Sequence, residues 1–328
     1  MDDEELPAWR PPVPVVLPVR LDPLGRAGPT RSAARGRRWR RTCHGWYVPS
    51  WVDPTVPEQR VAEAVPHLSL GGVVTGWGAL RMRGAHFLDG RAHDHSTLWP
   101  VTLAQGWHAA PRPPGAGVRQ HQLRVGDCSV VGGVPVHAAV PALVDEMRLA
   151  PDLAHAVVCA DAARAARLVT GLEMSETLAA GAGWLGIDQA RRAWELSRDG
   201  VRSPPESRLR LVGREVDLTD LLVNVPVFSL DGRLLGYPDL LDAVAGLALE
   251  YDGAGHRSVA RQRSDNLREE QLRAHAIEVL RVTSLDLARP LALGRRVLDV
   301  RARCAFLAPH ARAWTLRPPP GWRPPPGR

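Results

Sequence analysis

The sequence predicts an α/β protein whose residues 200–308 form a mixed sheet flanked by helices. SPPESRLRLV begins with an N-cap serine and prolines in the first turn, which is typical of a helix start. Two strand-like runs flank Asp231-Gly232, a strong β-hairpin signal. The charged amphipathic segment VARQRSDNLREEQLRAHA separates the strand-like runs LALEYDG and IEVLRVT, and LARPLALGRRVLDVRARCAFL follows as a last helix. This order of elements predicts a mixed α/β unit.

Four regions follow from composition and pattern. The 328 residues are enough for two or three domains with cores of their own. Proline-rich and basic stretches give way to helical spacing, then to the α/β pattern, and finally to RPPPGWRPPPGR. The predicted regions are a small basic module (1–56), a mixed, mostly helical connector domain (57–199), the α/β domain (200–308) and a disordered proline-rich tail (309–328).

The charge of the chain favours a polyanionic partner. The formal net charge is +7, and all 42 basic residues are arginines. A basic balance of this kind fits DNA, although charge alone indicates only a class of partner. The lack of lysine also removes one chemical option from any catalytic site.

Cysteine use and hydropathy predict a cytoplasmic protein with no membrane partner. The cysteines are far apart in sequence, which predicts neither a zinc site nor a disulfide framework: Cys43, Cys128, Cys159 and Cys304. The start MDDEELPAWRPPVP is acidic and broken by prolines, unlike a signal peptide. Apolar runs stay shorter than the ~18 residues that a membrane helix needs. The sequence leaves the oligomeric state open.

A basic hairpin is predicted within residues 31–51. WRRT and WYVP flank His44-Gly45, and aromatic residues alternate with arginines. Arginines there would neutralise phosphates and release counterions. The candidate DNA contacts are Arg37, Arg38, Arg40 and Arg41. A solvated basic face anchored by tryptophan, or a face that binds an acidic protein, remains an alternative.

A second hairpin, YPDLLDAVAGLALEYDGAGH, carries acidic residues. The two-residue period of LALEYDG places Glu250 and Asp252 on one face. A turn near Asp242–Gly246 would bring Asp239 to the same face. Carboxylates within ~4–6 Å raise one another's pKa unless a cation neutralises them. Their oxygens suit Mg²⁺ or Mn²⁺, so the hairpin predicts a divalent-metal site.

Residues around this hairpin extend the candidate site. His256 follows two glycines and is a candidate proton shuttle or phosphate ligand. Arg257 and Arg261 are candidate phosphate contacts, and Glu206 on the preceding helix is a candidate further ligand. The alternative is a surface hairpin whose acids only increase solubility.

The motifs PES, PD and EYDGxxH, with the helix-strand unit RSDNLREEQLRAHAIEVLRVTSLDL, resemble the PD-(D/E)XK nuclease superfamily. They are more closely similar to the very-short-patch-repair-like domain of unknown function, over roughly residues 200–290. The resemblance implies a restriction-endonuclease-like mixed sheet flanked by helices. It also implies metal-dependent cleavage of DNA, in repair or defence, with the metal at Asp239 and Glu250 and with Glu206 as a further ligand.

One position departs from the superfamily pattern. Lysine usually stands two residues after the second acid, and Asp252 occupies that place. The closer group also has E-x-D-G there. Asp252 is therefore a third ligand, with an arginine or His256 as the cation, or else cleavage is weak or lost. The second alternative predicts a DNA-binding regulator or antitoxin with a catalytically inert nuclease fold.

The N-terminal part carries a resemblance of its own. RWRRTCHGWYVP resembles the wing of the N-terminal domain of AbiEi-like antitoxins, and PVHAAVPALVDEMRLAPDLAHAVVCADAA resembles the helical connector of the same architecture. This resemblance implies a small winged-helix-like module within residues 1–56.

Overall fold

The computed structural model describes residues 15–92, 96–105, 117–121, 127–253 and 259–324, with the backbone alone at 120 and over 259–265. The fold is α/β, and the chain divides into two compact units, Met1–Ser197 and Arg198–Arg328. Among the helices of the described residues, none has both the length and the apolar character that a membrane crossing requires.

The first unit begins with a three-stranded antiparallel sheet in the order β1-β3-β2. Its strands are β1 (Val19–Arg20), β2 (Trp39–Cys43) and β3 (Trp46–Pro49). The predicted basic hairpin is confirmed, since β2 and β3 pair around His44-Gly45. Gly45 takes a φ of 77° in this turn, a conformation that glycine adopts without strain.

The winged-helix-like module stays a prediction for residues 1–56, of which the structure describes 15–56. Over residues 15–56 the secondary structure consists of these strands and a three-residue 3₁₀ helix, Ala33–Arg35, with no α-helix. The physical reason is the sequence LDPLGRAGPTRSAARG, in which prolines and glycines recur too often for a full helix. A recognition helix therefore has no place in this described stretch.

A five-stranded mixed sheet forms the centre of the first unit, in the order β6-β5-β4-β8-β7. Its strands are β4 (Val73–Thr75), β5 (Val101–Ala104), β6 (Val118–His121), β7 (Cys128–Val131) and β8 (Val134–His137). β4 pairs in parallel with β8 and antiparallel with β5. The region predicted to be mostly helical thus combines helices with a complete sheet.

In the described part of the first unit, six α-helices accompany this sheet. They are α1 (Pro57–Ala64), α2 (Gly76–Met82), α3 (Ala139–Leu149), α4 (Leu153–Ala165), α5 (Gly171–Ala180) and α6 (Ile187–Leu196). The Asp152 carboxylate accepts the His155 N–H at 2.7 Å and so caps α4. α4 is buried over most of its length, because its many alanines let α3 and α6 approach closely.

The second unit contains a four-stranded mixed sheet in the order β14-β13-β12-β9. Its strands are β9 (Leu222–Val223), β12 (Leu240–Asp242), β13 (Leu247–Tyr251) and β14 (Glu278–Val282), and β10 (Val227–Ser229) and β11 (Leu234–Gly236) lie between β9 and β12 in the chain. β12 pairs antiparallel with β9 and β13, whereas β14 runs parallel to β13.

Helices flank this sheet, as the sequence predicts. They are α7 (Pro204–Glu215), α8 (Val259–Ala274), α9 (Ser284–Leu287) and α10 (Pro290–Arg301). Leu247 and Leu249 pack in the same core as α7 and α10, whereas Ala248 packs with Leu272 of α8. The alternation predicted for LALEYDG is therefore confirmed, and Glu250 belongs to the α8 side of the sheet.

The C-terminal segment differs from its predicted disorder. The short strand β15 (Trp314–Thr315) pairs with β10. β10 also forms the predicted hairpin with β11 around Asp231-Gly232. Trp314 is 3% exposed, and the ring of Trp322 meets Phe228 edge-on with 5.1 Å between centroids. The tryptophans bury enough apolar surface to hold the proline-rich segment, so its described part is packed.

Candidate active site on the acidic hairpin

The β12–β13 hairpin brings Asp239 and Glu250 close enough to interact electrostatically. Its register ends with the pair Leu240 and Leu249, and Asp239 and Glu250 are the next residues outward along the two segments. Asp239 Oδ2 accepts the backbone N–H of Tyr251 at 2.8 Å, which fixes this carboxylate at the end of β13. That the two acids share one face stays a prediction, and the effect of Asp239 on the pKa of Glu250 supports it.

The turn that joins these strands is held by a buried carboxylate. Asp242 Oδ1 accepts the N–H groups of Val244 and Ala245 at 2.9 and 3.1 Å, and Asp242 Oδ2 accepts from Arg301 Nε at 2.7 Å. Gly246 closes the turn with a φ of 76°. These contacts set the hairpin register and hence the position of the acids at its open end.

Glu250 is buried and only partly satisfied. It is 7% exposed, and its Oε2 accepts from Arg268 Nη2 on α8 at 2.9 Å. Among the residues that the structure describes, no hydrogen-bond donor reaches its buried Oε1. Burial raises the pKa of Glu250, and the Asp239 carboxylate adds to this, while Arg268 and Arg281 oppose it. Within the described part of the chain, the site therefore holds a buried carboxylate oxygen that lacks a hydrogen-bond donor.

Asp239 shares this excess of negative charge. Burial raises the pKa of Asp239 to about 6, and the nearby Glu206 carboxylate contributes. The Tyr251 N–H, Arg268 and Arg202 act in the opposite direction without cancelling the effect. A further cation would stabilise the ionised form of this carboxyl group.

Glu206 lies near Asp239, but its oxygens are engaged in holding the start of α7. Oε1 accepts from Ser203 Oγ at 2.9 Å, and Oε2 accepts from the Arg202 N–H at 2.9 Å and from Asn224 Nδ2 at 2.7 Å. Asn224 also donates its N–H to the Asp239 carbonyl at 3.0 Å. Glu206 thus links the helix start to the acidic strand.

Asp252 faces an arginine of the neighbouring strand. Its carboxylate lies 3.6 Å from Arg281 Nη1, and its side chain is 33% exposed. Arg281 Nη2 also binds Glu269 Oε2 at 2.7 Å, so Arg281 bridges two acids. The Asp252 N–H donates to the Val282 carbonyl at 2.7 Å and continues the ladder between β13 and β14.

The acids are close in electrostatic terms but do not form a closed ligand cage. Among the described residues, no three of the acids on this hairpin and α7 bring ligand oxygens within 4.8 Å of one another. His256 and Arg257 lie outside the described residues, and Arg261 lies where only the backbone of α8 is described. The structure thus brings Asp239 and Glu250 together, with Glu206 and Asp252 beside them in other contacts.

The arginines of the basic hairpin have different environments. Arg37, Arg38 and Arg41 are exposed. Arg40 instead binds Glu63 of α1 through two contacts of 2.6 and 2.9 Å, and the hydrogen bond to Glu63 raises the pKa of Arg40. Arg40 therefore ties the hairpin to α1, while its neighbours present their charge to solvent.

Arg268 is the residue of this site that the sequence analysis does not single out. It stands in a run of charges that resembles an ordinary solvated helix face. A usable signal exists, because Arg268 precedes the buried Leu272 by four residues and so lies on the same side of α8. That side of α8 packs on the sheet face that carries Glu250.

The chemistry of the arrangement is that of an oxygen-donor pair beside a fixed cation. Asp239 and Glu250 offer carboxylate oxygens on adjacent strands, and Arg268 supplies positive charge at 2.9 Å from one of them. Such donors suit a hard divalent ion. Comparison of the chain with protein-family models, with curated proteins and with solved structures finds no match.

Proposed function

We propose that the second unit is a divalent-metal-dependent DNA endonuclease that hydrolyses phosphodiester bonds. Its mixed sheet flanked by helices is consistent with the restriction-endonuclease-like fold that the sequence motifs imply. The net charge of +7 suits a nucleic-acid partner. The acidic hairpin supplies the candidate metal ligands.

The observation that carries this proposal is the buried Oε1 of Glu250, which has no hydrogen-bond partner among the described residues, on a carboxylate close to that of Asp239. Leaving a buried charged oxygen unsatisfied costs about 1–3 kcal/mol or more. Mg²⁺ or Mn²⁺ held by Glu250 and Asp239 would remove this cost and neutralise the excess charge. When bound, such an ion polarises a phosphodiester and lowers the pKa of an attacking water.

Arg268 fills the electrostatic role that a lysine has in the superfamily pattern. Its guanidinium holds Glu250 Oε2 and lies within electrostatic reach of Asp239. Because arginine stays protonated, it contributes charge and orientation but no proton transfer. Asp252, at the position of the missing lysine, is paired with Arg281 and keeps that strand end ordered.

Plasmid cleavage by the full chain tests this proposal. We expect nicking in the presence of Mn²⁺ or Mg²⁺ and none in the presence of EDTA. Glu250→Gln and Asp239→Asn should each lower the rate by at least ~100-fold, since even residues that only support metal ligands cost 10–100-fold. Glu270→Gln, an equal charge change at an exposed position of α8, should cleave like the parent. Undiminished cleavage by both site variants would remove the proposal.

A second candidate function is a DNA-binding regulator or antitoxin whose nuclease-like fold is inert. It is favoured by the arginines that already neutralise the acids, Arg268 on Glu250 and Arg281 on Asp252. It is also favoured by the exposed arginines of the basic hairpin. Under this alternative, duplex DNA is bound in a salt-dependent manner and divalent ions cause no cutting.

The salt dependence of DNA binding tests this second candidate. Replacing Arg37, Arg38 and Arg41 together with alanine should reduce the slope of log K against log salt by about 0.9 for each phosphate that the hairpin no longer neutralises. The control is a triple replacement of exposed arginines in the second unit: Arg289, Arg295 and Arg303. Equal slopes for the parent and the hairpin variant would count against binding through this hairpin.

A further inference from the structure

A second group of ligand-type side chains belongs to the first unit, whereas the acidic hairpin belongs to the second. Glu146 of α3 and His155 and Cys159 of α4 bring their ligand atoms within 4.8 Å of one another. His155 Nε2 lies 2.9 Å from Glu146 Oε1 and 3.5 Å from Cys159 Sγ. His155 and Cys159 stand four residues apart, so they share one face of α4.

The surroundings hold each of these side chains in place. Cys159 is fully buried and His155 is 8% exposed. The Trp77 N–H donates to Glu146 Oε2 at 2.8 Å, which turns Oε1 of the same carboxylate toward His155. The ring of Trp99 packs against His155 at an interplanar angle of 42°, with 4.8 Å between centroids. This is how ligands of metal sites are commonly oriented, by hydrogen bonds and packing from a surrounding shell.

Geometry argues against a catalytic relay at this cluster. In a relay triad the nucleophile and the carboxylate contact different nitrogens of the histidine ring. Here Glu146 and Cys159 both converge on Nε2. Because Nε2 carries at most one proton, a protonated His155 would have to share a single N–H between Glu146 and Cys159. The complete burial of Cys159 also excludes it from attack on a substrate in solution.

We propose that Cys159 Sγ, His155 Nε2 and Glu146 Oε1 bind a thiophilic divalent transition metal, Zn²⁺, with water or an anion in the fourth position. A thiolate, an imidazole and a carboxylate are the ligand types that Zn²⁺ takes in tetrahedral sites. Ligand atoms at 2.0–2.3 Å from such an ion lie ~3.3–3.8 Å apart. The 3.5 Å between Cys159 Sγ and His155 Nε2 falls in this range, whereas the 2.9 Å between His155 Nε2 and Glu146 Oε1 would lengthen by a few tenths of an ångström. A single cation would then contact all three ligand atoms, in place of one Nε2 proton shared between Glu146 and Cys159.

The expected role of this metal is structural. It would tie α3 to α4 in the interior of the first unit, where both helices contribute buried core residues. Cysteine spacing alone predicts no zinc site at Cys159, because no second cysteine lies near it in the sequence. The sequence does contain one signal, the His-x₃-Cys spacing of His155 and Cys159 within a helix. The third ligand, Glu146, comes from the preceding helix.

Cobalt binding by the full chain tests this inference. The Glu250→Gln background is used so that ions at the acidic hairpin do not enter the count. We expect one equivalent of Co²⁺ per chain, a thiolate-to-cobalt charge-transfer band, and loss of that band when Zn²⁺ is added. Cys159→Ser should abolish the band and weaken binding at least tenfold. Cys128→Ser, at an exposed cysteine, should keep both.

Two further variants keep the test decisive if Cys159→Ser folds poorly. Glu146→Gln and His155→Gln each remove one ligand and retain the thiol, so circular dichroism identifies the folded variant to be titrated. Zn²⁺ should raise the Tm of the parent and of Cys128→Ser, and should not raise the Tm of these two variants. A charge-transfer band that persists without Cys159, or its absence from the folded parent, overturns the proposal.

Discussion

Replacement of Arg268 by methionine tests whether the acidic hairpin is balanced by an arginine, as the structure indicates. Methionine retains much of the side-chain length and removes the guanidinium that lies 2.9 Å from Glu250 Oε2. Glu250 then keeps its charge in a buried position, with its Oε1 already lacking a partner. We expect the second unit to lose stability.

The exposure of the pair sets the size of the loss. Breaking a fully buried ion pair costs about 3–5 kcal/mol, whereas exposed pairs contribute about 0–1 kcal/mol. The side chains of Glu250 and Arg268 are 9% and 32% exposed, so the pair lies between these limits. We therefore expect a loss of about 2 kcal/mol for the single variant, after allowance for solvent screening.

A double-mutant cycle measures this quantity. The parent, Arg268→Met, Glu250→Gln and the double variant are unfolded by urea in the presence of EDTA. The neutral amide in Glu250→Gln does not need the guanidinium of Arg268. The double variant should therefore be about 1–2 kcal/mol more stable than the sum of the two single effects predicts. The cycle is then repeated in Mg²⁺. At a hundredfold excess of the ion over its Kd, the free energy of unfolding of Arg268→Met should rise by up to about 2.7 kcal/mol, and that of Glu250→Gln should not rise.

Additivity would refute this reasoning. Independent sites add within about 0.3–0.5 kcal/mol, so a smaller coupling would mean that Arg268 does not balance Glu250 in solution. An equal Mg²⁺ effect on Glu250→Gln and on the parent would mean that the ion binds elsewhere. The cycle is measured without DNA and therefore does not depend on cleavage.

Three further predictions concern positions that support the sites. Gly236→Ala would place a Cβ 2.9–3.0 Å from the stem of Arg268, so we expect a loss of about 1 kcal/mol and a weaker coupling in the same urea cycle. Arg40→Ala leaves the Glu63 carboxylate without its guanidinium, so thermal unfolding should show a loss of about 1–2 kcal/mol while the salt slope for DNA stays unchanged. Burial opposes ionisation of Asp286, but hydrogen bonds from the helix-capping threonine lower its pKa from 3.8. The ionised carboxylate therefore stabilises the fold above pH 3.8, and this stabilisation is lost as the pH falls through the lowered pKa. Asp286→Asn should cost about 0.5 kcal/mol of unfolding free energy at neutral pH and little in acid, as measured by urea unfolding across the pH range.

Local signals made much of the second unit predictable from sequence. The hairpin around Asp231-Gly232, the turn at Asp242–Gly246 and the helix start at Ser203 each depend on neighbouring residues alone. The two-residue alternation of LALEYDG places Leu249 in the core and Glu250 on the other face. Such features follow from backbone preferences and burial of one strand face, which the sequence displays directly.

Contacts between distant segments were beyond the reach of that reasoning. Trp314 pairs with Ser229 across a long loop of chain, and its proline-rich neighbours gave no strand signal. Glu146 meets His155 only because α3 and α4 pack together. The strands of the five-stranded sheet are three or four residues long, so each carries too little alternation to be separated from short helical runs.

The two candidate functions differ physically in what satisfies Glu250 Oε1. An unpartnered buried charged oxygen costs about 1–3 kcal/mol or more, and Arg268 serves only the other oxygen of the carboxylate. In an endonuclease a divalent ion shared with Asp239 offsets this cost, so stability must rise with Mg²⁺ before any DNA is present. In an inert fold a proton or a water molecule satisfies Glu250 Oε1, so Mg²⁺ must leave the free energy of unfolding unchanged. Since arginine cannot release a proton, Arg268 contributes charge in both cases, and the response of the folded protein to the ion separates them.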